Sequence, residues 1–299
     1  MKRRDFLSMT TLAAGAAALA PLTGVAQSTT LTAPIEPVWV PLTKEVKTTR
    51  IGFGTGMRGG NRRSDIVRAG YPKAIEMLRY AYDMGVRLFD CADMYGTHDV
   101  VAEALKGKPR DSYVLVSKVW MRPGGIPELE RLPPEESIKR FLRECRTDYI
   151  DVVQIHCMDN DRWTQDWEAA MESLERAKKA GLIRAHGISS HSFSATEKAA
   201  ETAWCDTVHV RINSEGMNMD GTVDDNVRLL KKTHDAGKGI IAMKVLGEGK
   251  MGNDPEMRKK STRFVMDLGT VNVMIIGFTE KEHITEFVTN VAALSKPAG

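Results

Sequence analysis

The sequence lacks the charge excess that would attract a polyanionic partner. It contains 42 Lys and Arg residues against 39 Asp and Glu residues, which gives a formal charge of +3 at pH 7. The segment 1–26 holds Lys2, Arg3, Arg4 and Asp5, so the remaining chain has 39 basic and 38 acidic residues, a balance of +1. That balance argues against a nucleic-acid-binding or membrane-surface role for the rest of the chain.

Cysteine is also scarce, and no two cysteines stand at the short spacing of zinc or iron–sulfur ligands. The four are Cys91, Cys145, Cys157 and Cys205. A chain of 299 residues, of which 42% are hydrophobic, can bury a core without a disulfide framework. We therefore expect ordinary thiols and no metal site, with a single bridge between two of the cysteines as the alternative.

No apolar run is long enough for a stable membrane span, but the first residues read as an export signal. A basic start is followed by a short Ala- and Leu-rich run, and Gly24–Ala26 provides small residues for cleavage. The Arg3-Arg4 pair resembles the twin-arginine motif, which directs folded proteins across the membrane. We expect a signal peptide at 1–26 and a periplasmic mature protein without membrane attachment. An uncleaved N-terminal anchor is the alternative.

From about residue 49 the chain repeats a short apolar run, a polar turn and an amphipathic helix. The predicted strands are 50–53, 87–90, 113–119, 149–156, 185–189, 207–210, 239–243 and 273–277, and the main helices are 72–83, 134–146, 166–180, 194–203, 224–236 and 281–294. Strand–helix alternation predicts a parallel sheet. Eight repeats in roughly 250 residues fit a closed (β/α)8 TIM barrel better than an open sheet. We predict one barrel domain at 47–299, preceded by a lead-in segment at 27–46.

A dinucleotide-binding Rossmann fold is not favoured, because its fingerprint is incomplete. Gly52, Gly54 and Gly56 lie at and just after the end of the first predicted strand, but the third glycine of the fingerprint is not in place. No helix opens directly after this cluster. The barrel remains the better interpretation.

In such barrels functional side chains collect at the C-terminal ends of the strands. Asp90, Lys118 and His156 end three successive predicted strands, and Tyr95 follows Asp90 closely. Residues 89–96, FDCADMYG, resemble the Phe-Asp-Thr-Ala-x-x-Tyr-Gly signature of the aldo-keto reductase family. Lys118 and His156 then complete that family's Asp, Tyr, Lys, His tetrad in order. The resemblance runs from about residue 47 to 295 and implies a barrel oxidoreductase that uses NADP or NAD.

The roles that the resemblance implies agree with ordinary acid–base chemistry. Hydride addition to a carbonyl leaves an alkoxide that needs a proton, and Tyr95 is the implied acid, or the base when an alcohol is oxidised. Free tyrosine has a pKa of about 10, and a nearby ammonium lowers it. Lys118 would supply that ammonium, held and balanced by Asp90. His156 would orient and polarise the substrate carbonyl through a hydrogen bond.

The resemblance also implies cofactor contacts at other strand ends. Ser189, Ser190 and His209 stand where the family holds the nicotinamide carboxamide, and each can hydrogen-bond an amide. Met243 replaces the usual stacking aromatic residue, and its sulfur can cover a flat ring. Lys244 would meet the pyrophosphate. The further implied contacts are Gly54, Thr55, Leu246, Gly277, Thr279 and Lys281.

The choice between NADP and NAD is left open by the sequence after the last strand. Lys281 stands between two carboxylates, Glu280 and Glu282, which makes a weak clamp for a 2′-phosphate. NADP would use Thr279 and Lys281, and NAD would need neither. These two residues also fit an ordinary loop and helix start.

The sequence gives few indications of how the substrate is recognised. Trp120 and His156 are the expected substrate contacts, and Trp163 and Trp167 are further candidates for the rim. Together they would form an apolar wall or a stacking platform for a sugar face. The arginine-rich loop 56–70 would attract an acidic substrate or remain a solvated loop.

The expected partners are a small carbonyl or alcohol substrate, including sugar-like ones, and the twin-arginine export machinery. Free nicotinamide cofactor is not expected outside the cytoplasm, so the cofactor would be exported inside the folded protein and stay tightly bound. Two alternatives remain. One is an isomerase or lyase whose bound cofactor cycles without net redox change, and the other is a non-catalytic barrel that serves as a binding module.

Overall fold

A closed barrel of eight parallel strands forms the centre of the chain, as the alternating pattern predicts. The computed structural model describes residues 34–295. The barrel strands are β3 (Ile51–Gly54), β4 (Leu88–Asp90), β5 (Val114–Val119), β6 (Ile150–Met158), β7 (Ile183–Ser190), β8 (Thr207–Arg211), β9 (Gly239–Met243) and β10 (Val273–Ile276). Neighbours in sequence pair in parallel, and β10 pairs with β3 to close the barrel.

Ten helices lie among the described residues and pack around the barrel with their apolar faces inward. They are α1 (Asp65–Arg68), α2 (Tyr71–Asp83), α3 (His98–Ala104), α4 (Pro134–Cys145), α5 (Trp163–Asp166), α6 (Glu168–Lys179), α7 (Phe193–Glu201), α8 (Val223–Asp235), α9 (Pro255–Asp267) and α10 (Lys281–Leu294). Helix α4 shows the pattern, since it buries Ile138, Phe141 and Cys145 at spacings of three and four residues. The six predicted helices end within two residues of their expected limits.

A short antiparallel hairpin precedes the barrel and was not predicted. Its strands are β1 (Trp39–Pro41) and β2 (Lys47–Thr49). Leu42 and Val46 in its turn are buried against residues near the N-terminal ends of the barrel strands. The approach is close, because a Cβ added to Gly239 would lie 2.3 Å from the Leu42 carbonyl oxygen. The hairpin therefore covers one barrel end, and the predicted domain start at residue 47 cuts through it.

The predicted signal peptide at 1–26 lies outside the described residues. Between residues 34 and 295, no helix is long and apolar enough to cross a membrane. All four cysteines are free thiols, of which Cys157 is half-buried and the other three are buried.

Candidate active site

The four predicted catalytic side chains meet at the C-terminal mouth of the barrel. Asp90 ends β4, Lys118 lies on β5 and His156 on β6, while Tyr95 stands in the loop after β4. The Lys118 ammonium donates to Asp90 Oδ1 at 2.5 Å and to the Cys91 carbonyl at 2.9 Å. The Tyr95 hydroxyl lies 3.5 Å from His156 Nε2, and Lys118 Nζ lies 5.1 Å from the centre of the Tyr95 ring.

The loop after β4 is shaped so that Tyr95 returns over Lys118. The amides of Cys91 and Asp93 continue the pairing with β5 by donating to the carbonyls of Val116 and Lys118, at 2.8 and 3.0 Å. The Tyr95 amide then closes a turn by donating to Ala92 at 3.0 Å. The main chain of β5 thereby fixes the backbone position from which the Tyr95 side chain extends.

Asp90 and Lys118 form a buried ion pair with a third partner nearby. Burial alone would raise the pKa of Asp90, but the Lys118 ammonium and the His209 ring outweigh it and lower that pKa to about 2. His209 Nε2 lies 3.3 Å from Asp90 Oδ1. Removing one partner of such a pair would leave an uncompensated buried charge, which is strongly destabilising.

The expected lowering of the Tyr95 pKa by Lys118 is wrong for this structure. The pKa of Tyr95 is raised well above 10, first because of burial and then because of the Asp90 carboxylate. Lys118 is engaged with Asp90 and with the Cys91 carbonyl, so the carboxylate offsets much of its field at the phenol. Tyr95 is therefore a protonated phenol at neutral pH.

The two histidines at the mouth are neutral at pH 7. The pKa of His156 is lowered well below its usual value by burial and then by the Lys118 ammonium. Burial and Lys118 also lower the pKa of His209. Among residues 34–295, His156 Nδ1 and His209 Nδ1 are buried without a hydrogen-bond partner, while His209 Nε2 has the Asp90 carboxylate at 3.3 Å. Such atoms are costly unless a ligand or water satisfies them, and a carboxamide offers both a donor and an acceptor.

The two predicted serines are successive residues of β7, so their side chains lie on opposite faces of the strand. Ser189 pairs in register with His209 on β8, and both are buried at the mouth. The Ser190 hydroxyl instead donates to the Ser192 carbonyl at 2.8 Å and accepts from Thr196 at 2.7 Å, beside the start of α7. The prediction of a carboxamide site thus narrows to Ser189 and His209.

The end of β9 places Met243 and Lys244 on the same rim. Met243 is half-buried and pairs in register with Arg211 on β8. Lys244 has a left-handed backbone with φ of 57°, and its ammonium lies 3.4 Å from Glu248. Leu246 follows as a half-buried residue packed against the core. This segment keeps one loosely paired cation at the mouth.

Gly54 and Thr55 have structural partners of their own. A Cβ at Gly54 would lie 2.6 Å from a methyl group of Ile275, so the close approach of β10 requires glycine there. The Thr55 hydroxyl donates to the Asp90 carbonyl at 2.7 Å and contacts the Thr97 hydroxyl at 2.7 Å. Thr55 therefore holds the main chain of Asp90.

The residues after β10 are also engaged within the protein. Met57 covers Gly277, since an added Cβ would meet its Cγ at 2.5 Å. Lys281 donates to Glu76 at 2.5 Å, and the Thr279 hydroxyl lies 3.4 Å from His283 Nδ1. A 2′-phosphate would have to compete with Glu76 for the lysine.

Of the three tryptophans predicted near the rim, one lies beside the site and the other two pack in or against the core. Trp120 is half-buried with its ring 5.4 Å from that of His156, and its Nε1 donates to the Gly124 carbonyl. The prediction that Trp163 lies on the rim is wrong, because it is 1% exposed and donates to the Ala195 carbonyl in the core. Trp167 is half-buried and packs against the same core.

Three of the four arginines in loop 56–70 pair with carboxylates of the protein itself. Arg58 and Arg68 both pair with Asp65. Arg62 pairs with Asp93, which lies at a variable position of the tetrad signature and was missed by the sequence analysis. A carboxylate two residues before the catalytic tyrosine was the only available signal. Within 34–295, no cluster of His, Cys, Asp and Glu is arranged to hold a metal ion.

Comparisons with known proteins show which family the chain belongs to. The model of the Aldo/keto reductase family matches residues 50–263. Aldo-keto reductase YhdN of Bacillus subtilis is 27% identical over 245 residues, 76% of this chain and 71% of that protein. Methylglyoxal reductase DkgB of Salmonella typhimurium is 30% identical over 141 residues, 45% of this chain. That match spans about half of the relative's length, 49%.

Solved structures show the same fold at low identity. A Pseudomonas aeruginosa protein assigned to this family superposes with a TM-score of 0.71 at 22% identity, over 89% of this chain and 98% of that one. An aldo-keto reductase of Klebsiella pneumoniae, solved in complex with NADPH, superposes with a TM-score of 0.63 at 21% identity. That alignment covers 86% of this chain and 90% of the other.

Proposed function

Because the chain belongs to the aldo/keto reductase family, we propose that it is an oxidoreductase that transfers hydride between a nicotinamide cofactor and a carbonyl or alcohol substrate. The observation that carries the proposal is the meeting of Asp90, Tyr95, Lys118 and His156 at the barrel mouth. A barrel with only a structural role has no need for a buried ion pair under a tyrosine. Bound NADP or NAD supplies the hydride, or accepts it in the reverse direction.

Tyr95 is the proposed acid for reduction. Its raised pKa keeps the phenol protonated, so a proton is available when an alkoxide forms. His156 is neutral and turns Nε2 toward the same hydroxyl at 3.5 Å. A carbonyl oxygen bound between the two groups would accept a hydrogen bond from each, and this polarises the carbon for attack.

Lys118 acts on the phenolate that proton donation leaves behind. Its ammonium lies 5.1 Å from the Tyr95 ring centre inside the protein, where charges interact more strongly than in water. Asp90 balances this charge before and after turnover. The Lys118 ammonium attracts the phenolate, whereas burial and the Asp90 carboxylate raise the pKa of Tyr95 and disfavour it. Lys118 therefore reduces the cost of the transient phenolate without making it the favoured state.

For the cofactor, the unpartnered Nδ1 of His209 beside Ser189 fits a carboxamide, and the Met243 side chain can cover the nicotinamide ring. NADP is the first candidate, because the Klebsiella pneumoniae relative was solved with NADPH. NAD is the second, because Lys281 is already paired with Glu76. We propose that the dinucleotide stays bound through purification.

The test of this proposal is to purify the mature protein without added cofactor, denature it and identify the released nucleotide by mass spectrometry. The expected result is NADP or NAD in near-stoichiometric amount from the parent protein. A smaller amount is expected from His209→Leu, which places an apolar side chain at this buried position and removes both ring nitrogens. Ser190→Ala is the matched control and should retain the nucleotide. An empty protein that then binds neither dinucleotide would contradict the oxidoreductase function itself.

We further propose periplasmic localisation by the twin-arginine route, supported by the signal-like residues 1–26. Replacing Arg3 and Arg4 with lysine should keep the full-length protein in the cytoplasm, while the parent chain is found cleaved in the periplasmic fraction. Equal export of both chains would contradict this route.

The proposed substrate is a small carbonyl or alcohol with an apolar or sugar-like face for Trp120, and Trp120→Ala should raise KM for such substrates more than for acetaldehyde.

A further inference from the structure

The loop from Gly56 to Ser64 packs directly on the proposed acid. A Cβ at Gly56 would lie 2.3 Å from Tyr95 Cζ, and one at Gly59 would lie 2.7 Å from Tyr95 Cδ1. Main-chain bonds hold the loop there, since the Arg62 amide donates to Met94 at 2.9 Å and the Ser64 amide donates to Tyr95 at 3.2 Å. The loop is therefore a wall against which the phenol ring rests.

A buried carboxylate ties this loop to the tyrosine turn. Arg62 donates from Nε and Nη2 to Asp93 Oδ1 at 3.2 and 2.9 Å. Arg140 on α4 donates to the same oxygen at 2.7 Å. Asp93 is 2% exposed, so its charge would be costly without both arginines. Glu128 adds a more exposed contact to Arg62 at 2.5 Å.

The network continues beneath the mouth toward Lys118. Arg140 donates to Glu144 at 3.1 Å, and the other oxygen of Glu144 lies 2.8 Å from His98 Nδ1. His98 Nε2 lies 2.7 Å from the hydroxyl of Ser117, which precedes Lys118 on β5. The same chain of polar contacts thus reaches the loop, the tyrosine turn and the lysine strand. A ring supported only by its own backbone would lack such a connection.

We propose that Arg62 is a positioning residue, which holds the Gly56–Ser64 loop against Tyr95 through Asp93 and so fixes the phenol's approach to His156. This inference rests on the proposed function. Tyr95 and His156 are separated by 3.5 Å, at the long end of hydrogen-bonding distance. A small rotation of an unsupported ring would break the contact, and displacements of about 1 Å can cost about 100-fold in rate.

The first test compares Arg62→Gln with Arg58→Gln in the full mature chain loaded with NADPH. Arg58 is on the same loop, but its side chain is 81% exposed and pairs with Asp65. Arg62→Gln should lower kcat by about 10- to 100-fold, leave KM for the cofactor within about twofold of the parent value and keep cooperative unfolding. Arg62→Lys, which restores the charge but not the planar fork, should recover part of the loss. Arg58→Gln should match the parent protein.

A double-mutant cycle with Tyr95→Phe separates positioning from general structural damage. If Arg62 acts through the phenol, Arg62→Gln lowers kcat in the parent background and has no further effect on the residual rate in the Tyr95→Phe background. Equal losses in both backgrounds, or parent kcat in Arg62→Gln, would overturn the inference. If Arg62→Gln does not fold, Arg62→Lys takes its place in the cycle, and equal losses of kcat in the parent and Tyr95→Phe backgrounds would likewise overturn the inference. A fully active Tyr95→Phe would instead refute the proposed function.

Discussion

Replacing Gly56 with alanine would push one methyl group into the face of the catalytic ring. The added Cβ would lie 2.3, 2.4 and 2.7 Å from Tyr95 Cζ, Cε2 and Cε1, whereas ordinary contact begins at 3.4 Å. The ring or the loop must therefore yield by about 1 Å. Because Arg62 and Asp93 hold the loop, we expect the ring to move, and kcat to fall by about 100-fold. Overpacking should also cost about 1–3 kcal/mol of stability.

The assay is steady-state carbonyl reduction with a simple aldehyde, together with urea unfolding of the same preparation. Gly60→Ala is the matched control, because Gly60 lies in the same loop and an added Cβ there meets nothing within 4 Å. The control should retain the parent kcat and stability. A Gly56→Ala protein with parent kcat would refute the claim that this loop positions Tyr95. If Gly60→Ala loses as much kcat as Gly56→Ala, the effect comes from the loop backbone and not from contact with the ring.

Three further predictions follow from the buried groups of the mouth. The pKa of Asp90 is about 2, against 3.8 for an ordinary Asp, so its ionisation contributes about 2 kcal/mol to stability above pH 3.8, and this contribution is lost as the pH falls through 2. Urea unfolding should therefore show that Asp90→Asn is less stable than the parent at pH 7. A stability difference between the two proteins that does not shrink in acid would contradict the pairing with Lys118. In the cofactor-free protein, ultraviolet difference titration of the parent against Tyr95→Phe should show no phenolate below about pH 10, because burial raises the pKa of Tyr95; a phenolate signal at neutral pH would refute this. Cys157 is half-buried while the other three cysteines are buried, so iodoacetamide should label it first. Because burial raises its pKa to about 11, labelling should be faster at alkaline pH; peptide mapping that finds all four labelled together would count against this.

The barrel was predictable because its strands are continuous apolar runs and its main helices carry periodic apolar faces. The hairpin was not, since Trp39–Pro41 and Lys47–Thr49 are too short to show a period. Helix α9 was missed for a related reason, as its buried residues are Ser261, Thr262 and Val265. Hydroxyl groups on the inner face give no hydrophobic signal, although the barrel wall accepts them when they bond to main-chain carbonyls, as Ser261 does.

The order of the tetrad in the sequence was enough to predict which side chains meet, because parallel strands end on one side of the barrel. The electrostatic balance was not predictable. Whether Lys118 lowers the pKa of Tyr95 depends on how closely Asp90 holds the ammonium and on how deeply the phenol is buried. Neither the distance nor the burial can be predicted from the spacing of residues in the sequence. The pairing of Arg62 with Asp93 was hidden for the same reason, since the two residues are separated in sequence by two helices and a strand.

The central claim is that Tyr95 serves hydride transfer between a nicotinamide and a carbonyl carbon. The most direct measurement is a single turnover with NADPH deuterated at its transferable position, repeated with NADH, followed by mass spectrometry of the alcohol product. We predict one deuterium on the carbinol carbon with the parent enzyme, and almost none with Tyr95→Phe although the dinucleotide still binds. No deuterium in the parent product with either cofactor, or equal transfer by Tyr95→Phe, would contradict the account.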